Sequence, residues 1–336
     1  MKHIVRLLIL CSLLYSCTND TSTEELSFYY WKQNFQLSTT QQDLLSGQGV
    51  KRLFVKFMDV DLEGAHAVPV APIHFADKSY ASFELVPCVF ITNRTFQSQQ
   101  VKPEKLARKV WEYLQEINSE HQLSPKEYQF DCDWTPSTQQ AYFSFLLAIK
   151  ELKGDAILNS TLRLHQYKYP DQTGIPPVDK VTLMYYNMGD IEDVEEVNSI
   201  LNHEKGSAYL NAKGYPLSLD VALPLFSWTL VYRLGHLEAI INGNHLDSLE
   251  QKSAIEKTGE NTFAVQQNLY FEGHYLNKGD QLRFESCSRA DIRKAAEALS
   301  KIPNQSGTLL FYHLDETTPQ NFEPSFFDEL FSIYQH

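Results

Sequence analysis

Eight short segments rich in β-branched and aromatic residues recur along the chain, and helix-like segments separate several of them. Strands that alternate with helices pair in parallel, because each helix returns the chain to the same edge of the sheet. The pattern therefore predicts an α/β protein with a (β/α)8 TIM barrel. The predicted strands are Phe28 to Trp31, Arg52 to Val60, Val86 to Thr92, Tyr128 to Trp134, Ser160 to Tyr167, Val181 to Asn187, Leu217 to Leu223 and Gly307 to Leu314.

The helix-like segments agree with this arrangement, although an open doubly wound sheet is the main alternative. No glycine-rich phosphate turn follows the first strand, which weakens a dinucleotide-binding version of that alternative. Residues 238–287 alternate like strands and predict a small β-rich insertion before the last helix and strand. The predicted helices are Thr39 to Leu45, Pro103 to Gln122, Ala141 to Leu152, Val194 to Leu210, Ser288 to Lys301 and Ser325 to Tyr334.

The N-terminus has the pattern of a targeting segment. Lys2 and Arg6 precede or flank an apolar run that is too short to span a bilayer. The run ends in Leu14-Tyr-Ser-Cys17, which resembles the lipobox of bacterial lipoproteins. That resemblance implies a signal peptide over 1–16 and a lipid such as palmitate on Cys17. The polar residues that follow predict a tether over 17–26, and the barrel domain is then expected over 27–336. The lipobox resemblance also implies the outer membrane of a Gram-negative cell; the alternative is an ordinary secretory signal.

Charge restricts the expected partners. Without residues 1–16, two of the 29 basic residues are lost and 27 remain against 42 acidic ones, a net charge of −15. Such a chain is poorly suited to hold a phosphate backbone, so nucleic acid is not an expected partner, whereas a neutral glycan is compatible. The scattered cysteines Cys88, Cys132 and Cys287 form neither a disulfide framework nor a zinc motif, and no cofactor is predicted.

The fourth predicted strand carries the main candidate site. Asp131 and Asp133 alternate with the apolar residues Phe130, Cys132 and Trp134, so the two carboxylates share one face of the strand. The apolar face is expected to pack on helices, which directs both aspartates toward the barrel axis. Two neighbouring buried carboxylates are costly unless partners compensate them, and such pairs frequently mark functional sites. The alternative is a structural ion-pair network with Arg163.

Other polar and aromatic residues near predicted strand ends extend this candidate site, because barrel active sites form where strands end. Their side chains are expected to converge on one end of the barrel, where tryptophans could stack on sugar rings or belong to the core. A metal site of Asp61, Asp131 and His165 is conceivable, but no ligand spacing supports a metal. The candidates for substrate binding are Trp31, Lys56, Asp59, Asp61, Arg163, His165, Tyr185, Asn187, Trp228 and Asp315.

Phe130-Asp-Cys-Asp-Trp134 resembles the fourth-strand signature of family 18 glycoside hydrolases, the chitinase group, which reads Asp-x-Asp-x-Glu. Leu183-Met-Tyr-Tyr-Asn187 resembles that family's sixth strand, which has a Met-x-Tyr pattern followed by an acidic or amide residue. The resemblance implies a TIM barrel that acts on or binds a glycan, with Asp131 and Asp133 in the positions of the two aspartates.

The chain departs from the family at the catalytic acid, because Thr135 occupies the position of the glutamate. A threonine hydroxyl does not deliver a proton to a leaving oxygen at neutral pH. Hydrolysis therefore requires a relocated carboxylate pair. We expect Asp133 as the acid, with its pKa raised by the neighbouring Asp131, and Asp220 as the base or nucleophile. The alternative is an inactive barrel that binds carbohydrate or serves as an envelope scaffold.

Overall fold

The computed structural model describes residues 25–211 and 213–335. The predicted signal peptide and Cys17 lie outside these residues. The first strand begins at Glu25, two residues before the predicted start of the barrel domain. Among the described helices, none is both long and apolar enough to cross a bilayer.

Eight of the described strands form a closed parallel barrel, which confirms the predicted (β/α)8 fold. Closure follows from the first strand, which pairs with the second at Phe28 and Leu53 and with the last at Phe28 and Phe311. In chain order the barrel strands are β1 Glu25–Tyr30, β2 Arg52–Glu63, β3 Glu84–Ile91, β4 Glu127–Asp131, β5 Ile157–Leu162, β6 Lys180–Met184, β7 Ser218–Pro224 and β8 Gln305–Tyr312.

Helices surround the barrel, and local sequence signals explain several of their starts. Ser288 caps one helix by accepting a hydrogen bond from the Asp291 backbone at 3.0 Å, as predicted, and Pro103 begins another in its first turn. The α-helices are Thr39–Gly47, Asn93–Gln97, Pro103–His121, Gln139–Leu152, Leu164–Lys168, Pro170–Thr173, His203–Ser207, Leu246–Gln251, Arg289–Leu299, Thr318–Asn321 and Pro324–Gln335, and Ser79–Ser82 forms a 3₁₀ turn.

A five-stranded antiparallel sheet follows β7 and forms an insertion with its own apolar core. This sheet starts at Ser227, whereas the predicted insertion started at residue 238. Its strands are Ser227–Arg233, His236–Asn242, Ile255–Lys257, Thr262–Val265 and Gln281–Ser286, and Leu269–Phe271 pairs with His274–Leu276 as a separate hairpin. Outside the insertion, His66–Val70 pairs with β2, and Asn34–Phe35 pairs with His74–Phe75.

Two predicted elements were wrong at the connections that follow β5 and β6. The predicted strand Ser160 to Tyr167 ends at Leu162, because the chain turns into the helix Leu164–Lys168. The predicted helix Val194 to Leu210 is reduced to His203–Ser207. Residues 194–202 form a loop instead, and Ser199 in this loop donates from its backbone and its hydroxyl to Glu285 of the insertion, at 3.0 and 2.5 Å.

The barrel interior is filled by polar layers instead of the usual branched aliphatic side chains. In the middle layer, the Tyr29 hydroxyl donates to Gln129 Oε1 at 2.8 Å, and Gln129 Nε2 donates to Thr182 Oγ1 at 2.9 Å. Below it, near the strand starts, Glu127 and Asp220 are fully buried and paired with Lys180. Above it, Asp131 reaches the end of β4, where the functional candidates begin.

Candidate functional site at the barrel mouth

The fourth strand presents its two faces as predicted. Phe130 packs outward on Phe145 of the helix Gln139–Leu152, with ring centroids 5.2 Å apart, and Trp134 stacks on Tyr142 of the same helix at 5.4 Å. The two aspartates therefore lie on the inner face, toward the barrel axis. Trp134 belongs to the core, since its ring is covered by this helix.

Asp131 is held at the top of the barrel interior by one short hydrogen bond. The Thr161 hydroxyl donates to Asp131 Oδ1 at 2.6 Å. Burial and the nearby charge of Asp133 raise the pKa of Asp131 to about 7, while the Thr161 bond and Arg163 oppose the rise. This carboxyl group therefore binds a proton in the neutral pH range.

Asp133 does not have the environment expected of a catalytic acid. Arg163 donates to both of its carboxylate oxygens, from Nε to Oδ1 at 2.6 Å and from Nη2 to Oδ2 at 2.8 Å. A bidentate guanidinium pair of this kind gives each carboxylate oxygen a charge-assisted hydrogen bond and fixes its orientation. The ion pair that the sequence left as the alternative for this position is therefore present.

Asp220 is not brought together with Asp133. It faces the barrel axis, as its alternation predicts, but it lies in the lower polar layer and is completely buried. Lys180 Nζ approaches its Oδ2 at 2.8 Å, Asn159 donates to the same oxygen at 3.2 Å, and Ser306 donates to Oδ1. The two members of the predicted acid–base pair therefore have separate partners, since Asp133 pairs with Arg163 at the mouth and Asp220 pairs with Lys180 in the buried layer.

The other predicted strand-end carboxylates are also engaged. Asp59 Oδ2 lies 3.0 Å from Lys56 Nζ. Hydrogen bonds from Arg94 hold the pKa of Asp61 well below its usual range. Asp315 accepts backbone hydrogen bonds from Thr317 and Thr318 at 2.7 and 2.9 Å and so acts as a turn cap.

Aromatic side chains form the floor of the mouth. Tyr186 stacks on Tyr312 with ring centroids 5.3 Å apart, and Tyr312 contacts Trp31 at 5.8 Å and Phe226 at 5.7 Å. Lys56 Nζ lies 6.0 Å from the Trp31 ring. This set, which we call the aromatic floor, consists of Trp31, Tyr186, Phe226 and Tyr312.

Two adjoining clefts open above the aromatic floor and share Asn187. The first has a volume of about 530 Å³ and includes Trp31, Phe226, Trp228, Tyr312 and Asp315 among its lining residues. The second has a volume of about 390 Å³ and is lined by residues that include Asp133, Thr135, Arg163, His165 and Tyr186. Together they form a groove across the C-terminal end of the barrel.

Six of the ten predicted binding residues line the two clefts, namely Trp31, Arg163, His165, Asn187, Trp228 and Asp315. The lining does not include Lys56, Asp59, Asp61 or Tyr185. Tyr185 is fully buried, and its hydroxyl faces Gly206 outside the barrel axis. The next residue, Tyr186, lines the second cleft instead. Alternation gives this answer directly, because Met184 and Tyr186 share a face.

Two further groove residues, Phe226 and Tyr312, were missing from the predicted binding residues. Tyr312 ends β8, and its position just before His313 was the available signal. Phe226 precedes the first strand of the insertion, so nothing local connects it to the barrel mouth. Arg163 and His165 also line the groove, although they do not share a strand face as predicted. Arg163 follows the end of β5, and His165 belongs to the helix Leu164–Lys168. Among the described residues, no group of three His, Cys, Asp or Glu side chains is arranged to hold a metal.

Comparison with solved structures identifies the fold. The chain has the fold of family 18 chitinases and chitinase-like proteins. The Bacillus cereus spore cortex-lytic enzyme SleL matches with a TM-score of 0.54 and 14% identity over 91% of this chain and 74% of SleL. YKL-39, determined in the presence of chitooligosaccharides, matches with a TM-score of 0.51 and 8% identity over 93% of this chain and 100% of YKL-39. A mutant family 18 chitinase from Cycas revoluta in complex with (GlcNAc)4 matches with a TM-score of 0.50 and 9% identity over 92% of this chain and 98% of the chitinase.

These similarities confirm the predicted resemblance at the level of fold. No family model and no curated protein sequence matches the chain. With identities of 8 to 14%, the comparisons do not transfer an activity, which must be argued from the groove itself.

Proposed function

We propose that this protein binds a neutral oligosaccharide in the groove at the barrel mouth and does not cleave it. The observation that carries the proposal is the combination of an aromatic floor with carboxylates that are all engaged. The carboxylates lining the two clefts are Asp133, Asp315 and Glu316. The first pairs with Arg163, the second caps a turn, and the third lies 3.4 Å from Lys32.

Binding without hydrolysis also follows from Thr135. This residue lines the second cleft in the position of the family's acid, and its hydroxyl shares hydrogen bonds with Ser137 and Thr138. The groove can therefore stack sugar rings and hydrogen-bond their hydroxyl groups, but it has no proton donor at that position. The solved structures with chito-oligosaccharides support this sugar class as the first probe.

Replacing Trp31 with alanine should weaken binding of (GlcNAc)4 about tenfold, equivalent to about 1.4 kcal/mol, because a half-buried stacking surface is lost from the floor. Titration calorimetry on the purified protein measures the change. Tyr270→Ala is the matched control, because this tyrosine is 75% exposed on the insertion hairpin and distant in sequence from the floor. An equal loss in both variants, or no saturable binding by the unaltered protein, would refute the proposal.

A second candidate function, glycoside hydrolysis, is favoured by Asp131 alone, whose near-neutral pKa lets it carry a proton. The same titration samples can be analysed for shortened sugars. We expect none. Release of shorter sugars that disappears in Asp131→Asn would instead favour the enzyme.

We further propose that the protein is attached to the outer membrane of a Gram-negative cell through a lipid on Cys17. The basic start, the short apolar run and the lipobox-like ending at Cys17 support this proposal. Radiolabelled palmitate should be incorporated into the unaltered protein and lost in Cys17→Ser, with Cys287→Ser retaining the label. Incorporation that persists in Cys17→Ser would contradict the attachment site.

A further inference from the structure

A lysine-lined cleft lies on the outside of the barrel and shares no lining residue with the groove. It has a volume of about 340 Å³ and forms between the turn that joins β2 to His66–Val70 and the start of the helix Pro103–His121. Lys102, Lys105 and Lys109 line it, with Val101 and Leu106 as its apolar floor. We refer to it as the lysine cleft.

Two of the three lysines share one stripe of the helix. Lys105 and Lys109 are four residues apart, which brings them to neighbouring places on the helical surface, and Lys102 at the N-cap lines the same cleft. The positive end of the helix dipole is at the same location, and Lys102 at the N-cap provides no side-chain acceptor for the first turn. The stripe is therefore an unusually positive place on a chain whose net charge is −13.

These ammonium groups lack counterions in the part of the chain that the structure describes. Lys102 Nζ donates to the Gln99 carbonyl at 3.2 Å, but none of the three lysines forms a salt bridge. Glu104 and Glu112 on the same helix are exposed and also form none with them. Like charges at this spacing repel one another, so an anion in the cleft would relieve the repulsion.

We propose that the lysine cleft binds the phosphate group of an amphiphilic ligand. Lysine ammonium groups donate charge-assisted hydrogen bonds to phosphate oxygens. The apolar floor of Val101 and Leu106 suits a ligand whose phosphate is attached to an apolar body, such as a lipid headgroup with its first chain carbons. The small size of the cleft and the net charge of −13 on the whole chain are unsuitable for a nucleic acid.

The test uses titration of the whole protein with three probes: inorganic phosphate, dihexanoyl phosphatidylglycerol and zwitterionic dihexanoyl phosphatidylcholine. We expect saturable binding of the phosphatidylglycerol, tighter than that of inorganic phosphate or phosphatidylcholine and weakened by added salt. Equal or tighter binding of inorganic phosphate that depends on the cleft would identify free phosphate as the source. That result would overturn the proposal that the ligand is amphiphilic.

Lys105→Gln/Lys109→Gln should weaken phosphatidylglycerol binding about tenfold, because two exposed charge contacts are removed. Lys278→Gln/Lys301→Gln is the matched control, since both lysines are exposed and the change in net charge is the same. Circular dichroism checks that both variants remain folded. Absence of saturable binding, or an equal loss in the control variant, would overturn the proposal without bearing on the glycan groove.

Discussion

Replacing Lys180 with methionine is expected to lower the free energy of unfolding by about 3–5 kcal/mol, because it leaves two buried carboxylates without their shared cation. Lys180 Nζ lies 3.0 Å from Glu127 Oε2 and 2.8 Å from Asp220 Oδ2, and both acidic side chains are completely buried. Burial opposes the ammonium form, yet Asp220 and Glu127 together raise the pKa of Lys180. Arg52 Nη1 lies 2.8 Å from Glu127 Oε2, but Arg52 forms no salt bridge with Asp220 among the described residues.

Urea denaturation followed by circular dichroism measures this change. Arg293→Met is the matched control, because it breaks a bidentate ion pair with Glu329 at 2.6 and 2.8 Å on the protein surface. An exposed pair of this kind contributes about 1 kcal/mol or less. If the two variants lost the same stability, the buried network would not have the importance that its geometry indicates.

The Asp131→Asn variant is expected to be more stable than the unaltered protein at pH 8, and this advantage should disappear toward pH 4. The pKa of Asp131 is raised from its ordinary value of 3.8 to about 7 by burial and by Asp133. Asparagine has nearly the same shape and keeps an oxygen that accepts the Thr161 hydrogen bond, but it carries no charge. The variant therefore removes the cost of ionising a buried group.

The direction follows from proton binding in the two states. Between pH 3.8 and about 7, the folded protein holds a proton on Asp131 that the unfolded chain has released. Stability from this group is therefore fully present below the ordinary pKa and falls as pH rises toward 7, by about 4 kcal/mol in total. Above pH 7 the deficit is constant.

Urea denaturation at pH 4, 6 and 8 tests this dependence. The difference between Asp131→Asn and the unaltered protein should grow over that range, whereas Asp171→Asn, at an exposed position, should follow the unaltered protein. If the free energy of unfolding changed with pH in the same way for the unaltered protein and Asp131→Asn, the raised pKa of Asp131 would be contradicted.

The strand positions and their inner faces could be predicted from the sequence, because they depend on local periodicity. The apolar residues Phe130 and Cys132 alternate with Asp131 and Asp133 along the fourth strand. The helix that follows covers the apolar face, as expected. The same reasoning failed for the residues after β5, where the helix Leu164–Lys168 begins. There the chain leaves the strand, and strand alternation no longer describes where side chains point.

The sequence by itself determined a parallel barrel whose polar side chains face its axis, since side-chain period and the order of elements are properties of neighbouring residues. Only the tertiary structure decided the depth at which each polar side chain lies. Asp220 and Asp131 have equivalent local patterns, yet one joins Lys180 near the strand starts and the other lies beneath the mouth. Depth depends on the stagger of strands far apart in the chain, and that stagger also pairs Asp133 with Arg163.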